Sequence, residues 1–117
     1  LAIAEARREL MLRGWLVDQY FAPFLDPDEL RVMRAHEKDF LNAFLRGSPV
    51  IENVPDALVM KMIRNISFAG GLDQIEPAIA TLRAFATAGL TEIALRVHDH
   101  PADAIRLIGE RVLPALR

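Results

Sequence analysis

Glu92-Ile93-Ala94-Leu95-Arg96-Val97 alternates aliphatic and β-branched residues with others, the period-two pattern of a strand. Upstream, Ile66-Ser67-Phe68-Ala69 reads as a shorter strand closed by Gly70-Gly71. A helical pattern lies between them and another follows, so the order is strand, helix, strand, helix. A strand, a crossover helix and a second strand make a right-handed unit whose strands are parallel. Parallel sheets are covered on both faces and need more strands than two. These stretches therefore predict an α/β fold whose partner strands come from elsewhere or from another copy.

The helices are marked by their ends. Asp73 and Glu76 are spaced as a capping box, Ile75, Ile79, Leu82 and Ala86 form one stripe, and Gly89 follows the stripe as a C-terminal glycine. Pro77 moves the regular start towards Glu76, because its missing amide removes a bond to the Asp73 carbonyl. A last helix begins at Pro101, with Ile105, Ile108 and Val112 inward and Asp103, Arg106, Glu110 and Arg117 outward. Upstream, Pro55-Asp56 opens a short helix to about residue 64, with Leu58 and Met62, and with them Val59 and Ile63, inward. Asp26-Pro27-Asp28-Glu29 combines an N-cap carboxylate, a proline at the first position and acids near the positive dipole end. That predicts one helix over residues 26 to 46, with Leu30, Met33, Phe40, Leu41 and Phe44 as its apolar stripe and Gly47-Ser48-Pro49 as its stop. Residues 2 to about 21 read as an amphipathic helix, with Ile3, Ala6, Leu10, Val17 and Phe21 on one side, Glu5, Arg8, Glu9 and Arg13 on another, and Pro23 beyond its end. The opening Leu1-Ala2-Ile3 reads as a helix already under way, which suggests a cut chain.

Composition narrows the function. With 52% hydrophobic and 26% charged residues over 117 positions, the chain can bury a core. Its 14 basic and 16 acidic residues give a net charge of −2 and are interspersed, so no nucleic-acid partner is expected. The absence of cysteine excludes a disulfide scaffold, a thiolate metal site and a cysteine nucleophile, and it fits a reducing, cytoplasmic location. No apolar run reaches the roughly 18 to 20 residues that span a bilayer, so no membrane partner is expected either.

Phe68-Ala69-Gly70-Gly71-Leu72-Asp73, Leu82-Arg83-Ala84-Phe85 and Ala88-Gly89-Leu90-Thr91-Glu92-Ile93-Ala94-Leu95-Arg96 carry a family resemblance, completed by the run from His98-Asp99-His100-Pro101 to Val112-Leu113-Pro114-Ala115-Leu116. Together they resemble the end of the luciferase-like monooxygenases and their deazaflavin-dependent reductase relatives. The match is specific over residues 66 to 117 and looser over residues 10 to 65. The resemblance implies the C-terminal part of a (β/α)8 TIM barrel, one incomplete domain. Residues 1 to 65 would be the helical stretch before strand seven, and residues 66 to 117 the terminal βαβα unit. It also implies an oxidoreductase that uses reduced FMN or a deazaflavin coenzyme on a small organic substrate. Most of that family's cofactor contacts lie in sequence this chain lacks, so the chain is expected to be inactive alone. Its uncovered strand edges are expected to make it a homo-oligomer.

In such a barrel the chemistry lies at the C-terminal strand ends. That singles out Gly70 and Gly71, where a phosphate could approach backbone amides, against the plainer role of a left-handed turn. His98 would face the cofactor or substrate pocket, while Asp99 or His100 would cap the following helix. His98 and His100 lack the further ligands a zinc site needs. Arg96 shares a strand face with Ala94 and His98, where it would bind an anionic group of the cofactor or pair with a buried acid. His36-Glu37 starts like a zinc-protease motif, but Phe40 stands where the second histidine would be. The aromatics Trp15, Tyr20, Phe21, Phe24, Phe40 and Phe44 read as core packing. The rival to all of this is a non-enzymatic interaction module in which residues 66 to 70 and 92 to 97 are not strands and amphipathic helices form a bundle.

Overall fold

The computed structural model describes residues 1–12, 16–95, 97 and 100–117. Every regular element among the described residues is helical. This overturns the α/β expectation, and with it the TIM-barrel piece built on two parallel strands. Residue 66 belongs to a helix, and residues 92 to 95 are irregular and exposed.

The reason is legible at each stretch. The α5 helix, Asp56–Ile66, buries Val59, Met62 and Ile63, and Ile66 packs half-buried against the same core. Residues 59, 63 and 66 follow the i, i+4, i+7 spacing of one helical stripe, so the apolar period continues through Ile66 instead of switching to two. Ser67 then ends the helix in extended geometry (φ −148°, ψ 163°), its hydroxyl donating to the Ile63 carbonyl at 2.8 Å. Residues 67 to 69 are irregular, so the alternation at 92 to 95 has no strand among the described residues with which to form a ladder. Alternation alone does not hold a strand together, since a strand's backbone groups are satisfied by pairing or by water.

The chain divides into two compact units, Leu1–Gly70 and Gly71–Arg117. The first contains α1 (Ala2–Arg8), a 3₁₀ turn at Leu10–Leu12, α2 (Asp18–Phe21), α3 (Pro27–Ala35), α4 (Glu37–Leu45) and α5. The single helix expected over residues 2 to 21 is thus interrupted. Its phase changes after Arg8, which places Glu9 inside at 5% exposure, and Leu16 (φ 50°) is buried where Val17 was expected to be.

The Asp26 cap forms as its residue types require. Its Oδ1 accepts from the Asp28 and Glu29 amides at 2.9 Å each, and Glu29 Oε2 accepts from the Asp26 amide at 2.9 Å. The helix that follows breaks at His36 (φ −113°, ψ 19°), whose amide is shared between the Val32 and Met33 carbonyls at 3.2 and 3.3 Å. The break turns α4 so that Phe40 and Ala43 go inside while Leu41, expected inside, is exposed. Gly47 (φ 63°) closes α4 with the Ser48 amide on the Ala43 carbonyl and the Gly47 amide on the Phe44 carbonyl, a Schellman motif.

The core of this unit gathers Ala6, Leu10, Phe21, Met33, Phe40, Val59, Met62 and Ile63, each at most 1% exposed. At about 1.5–3 kcal/mol per fully buried large apolar side chain, this cluster is the main stabilising element of the unit. Phe21 and Phe24 meet edge to face with centroids 5.7 Å apart.

The second unit contains a 3₁₀ turn at Leu72–Gln74, then α6 (Ile75–Thr87), α7 (Pro101–Leu107), a wide π turn at Ile108–Val112 and α8 (Leu113–Leu116). Pro77 lies in the first turn of α6, where its missing amide costs no helical bond. Gly89 (φ 98°) ends α6 with a second Schellman motif, in which Leu90 donates to Phe85 and Gly89 to Ala86, each at 3.0 Å. The π turn ends two residues before Pro114, whose ring would press on the carbonyl one turn back in a regular helix and whose nitrogen has no proton to donate. Arg83 Nε donates to the Ala115 carbonyl at 2.9 Å, and Arg111 pairs with Glu76 at 3.1 Å. Buried hydrophobic residues described in this unit are Ile75, Ile79 and Leu82, whereas Leu72, Leu90, Ile93, Leu95, Ile105 and Leu113 are exposed. The inward position expected of Ile105 is not observed.

Candidate functional site

Two of the four residues singled out from sequence, Arg96 and His98, lie outside the described residues, as does Asp99. The other two, Gly70 and Gly71, lie in irregular chain between α5 and the 3₁₀ turn. Gly71 has φ −88° and ψ −168°, so it does not take the left-handed geometry that the plainer role required. What it supplies is room: a Cβ at Gly71 would lie 2.8 Å from Asp73 Oδ1. The Asp73 carboxylate therefore sits over the Gly71 backbone, and its other oxygen accepts from the Gln74 side-chain Nε2 at 2.7 Å. A phosphate approaching this backbone would have to displace a like charge, which weighs against an anion there.

The capping roles also differ from expectation. Asp73 does not cap α6, whose first residue follows Gln74 with no side-chain cap bond. His100 precedes Pro101 in left-handed geometry (φ 55°), and its side chain makes no cap bond to α7. Asp103, in the first turn of α7, pairs with Arg106 at 2.7 Å. Beside α7 runs an open groove of about 580 Å³, with Leu72, His100, Asp103, Arg106, Leu107 and Glu110 among its lining residues.

Sequence reasoning passed over a polar cluster in the first unit. At the break between α3 and α4, His36 Nδ1 lies 2.8 Å from Asp39 Oδ2, and Asn53 Nδ2 donates to Asp39 Oδ1 at 3.4 Å. With the proton on Nδ1, the carboxylate fixes the tautomer and leaves Nε2 as the acceptor. The signal was present as a histidine and an aspartate three apart, the spacing of a capping pair. Here the pair holds the start of α4, a structural role that the geometry explains in full.

Charged contacts tie helices of this unit together, Arg7 of α1 with Asp56 of α5 at 2.5 Å among them. Lys61 Nζ donates to Glu29 Oε2 at 2.6 Å, joining α5 to the cap of α3. That bond, and then the one from the Asp26 amide, holds the Glu29 carboxyl below its ordinary value. Arg34 of α3 grips both carboxylate oxygens of Asp18 in α2, which raises its already high proton affinity. Among the described residues no group of three histidine, aspartate or glutamate side chains is placed to hold a metal ion. None of their helices is long and apolar enough to cross a membrane. Comparison with protein-family profiles, curated proteins and solved structures found no match.

Proposed function

We propose that this chain is part of a flavin- or deazaflavin-dependent oxidoreductase of the luciferase-like kind. It would use a reduced cofactor on a small organic substrate and be inactive by itself. The observation that carries this reading is the run of residues 68 to 73, 82 to 85, 88 to 96 and 98 to 116 quoted above. The proposal concerns activity and does not carry the corrected barrel topology with it. The exposed apolar side chains of the second unit support it, because a piece of a larger enzyme leaves uncovered the residues that other sequence would bury. In this reading His98 faces the substrate, Arg96 holds an anionic group of FMN or of the deazaflavin coenzyme, and Gly70 and Gly71 line the approach. The cofactor carries the redox chemistry and the protein positions it. A cytoplasmic location belongs to the same proposal.

The test is to purify the intact gene product that carries this sequence and titrate it with FMN and with a deazaflavin coenzyme. Binding of one of them, weakened by Arg96→Ala, is the expected result. An intact product that binds neither, and that leaves the reduced forms unconsumed with organic substrates present, overturns it.

A second reading, a non-enzymatic helical interaction module, is favoured by the uniformly helical character of the regular elements among the described residues. Here the exposed Leu90, Ile93 and Leu95 serve association, with a second copy as the expected partner. Light scattering separates an associating chain from a lone one, and a monodisperse monomer at all concentrations would end this version.

A further inference from the structure

We draw no further inference here: the strongest candidate, the open groove of about 580 Å³ beside α7 in the second unit, is lined by exposed His100, Asp103, Arg106 and Glu110 with Asp103 already paired to Arg106, so no second observation points to a ligand.

Discussion

The two units of this chain use similar helical sequence to different ends. In Leu1–Gly70, side chains from α1, α2, α3, α4 and α5 converge, and Phe21, Phe40, Met33 and Met62 are each at most 1% exposed. In Gly71–Arg117, α6 and the last helical stretch bury Ile75, Ile79 and Leu82, while Leu72 is 74% exposed and Ile105 61%. The second unit is not short of apolar residues. It has two helical layers where the first has five helices, and two layers leave one flank of each helix open to water. Amphipathic sequence is thus necessary for a core but not sufficient, because a buried position needs neighbours on every side.

The largest effect that would break this contrast is a core truncation. Phe40→Ala should lower the unfolding free energy by about 3–5 kcal/mol, measured by urea denaturation followed by circular dichroism. Ile93→Ala in the second unit should change it by less than about 0.5 kcal/mol. Equal losses at the two sites would mean that the second unit buries more than its exposure indicates.

Next come the two left-handed glycines, whose substitutions sharpen the contrast. Gly47→Ala and Gly89→Ala each place a Cβ in a conformation that costs about 1 kcal/mol. Gly47→Ala should speed hydrogen exchange through α4, and Gly89→Ala should speed it through α6 while leaving Met33 and Phe40 protected. Exchange that rises across the whole chain in both variants would show one cooperative body in place of two units.

Asp26→Ala removes the acceptor of two amides at the start of α3 and should cost about 1 kcal/mol in the same denaturation experiment. An unchanged midpoint would mean that water satisfies those amides equally well.

The smallest effect concerns acid. The Glu29 carboxyl is held below its ordinary value, first by Lys61 and then by the Asp26 amide. A depressed carboxyl stabilises the folded state above its ordinary value, and that contribution is lost as pH falls through its lower folded value. Lys61→Met should therefore make the loss of stability below about pH 4.5 shallower. The change will be slight, since both groups are partly open to solvent and screened by it. An acid limb of identical slope in the variant would show that the Asp26 amide alone sets the Glu29 carboxyl.

Local chemistry determined much of this protein from the sequence alone. Asp26-Pro27-Asp28-Glu29 announced a capped helix start, and Gly47 and Gly89 announced helix ends, because each depends on groups within five residues of one another. Pro77 and Pro101 likewise marked first turns, where a missing amide is harmless. Other features were decided at longer range. Whether Ile66 began a strand or finished a helix turned on the core that Val59 and Ile63 already face. Whether residues 92 to 95 became a strand turned on a partner to pair with, which no alternation in a single segment can provide. The break at His36 depended on bringing Phe40 and Ala43 inside in place of Leu41, and the burial of Glu9 followed a change of phase after Arg8. Caps and turns are local bonds that short motifs can specify, although the Asp73 and Glu76 spacing did not cap α6, whereas strands and core faces exist only through neighbours distant in the chain.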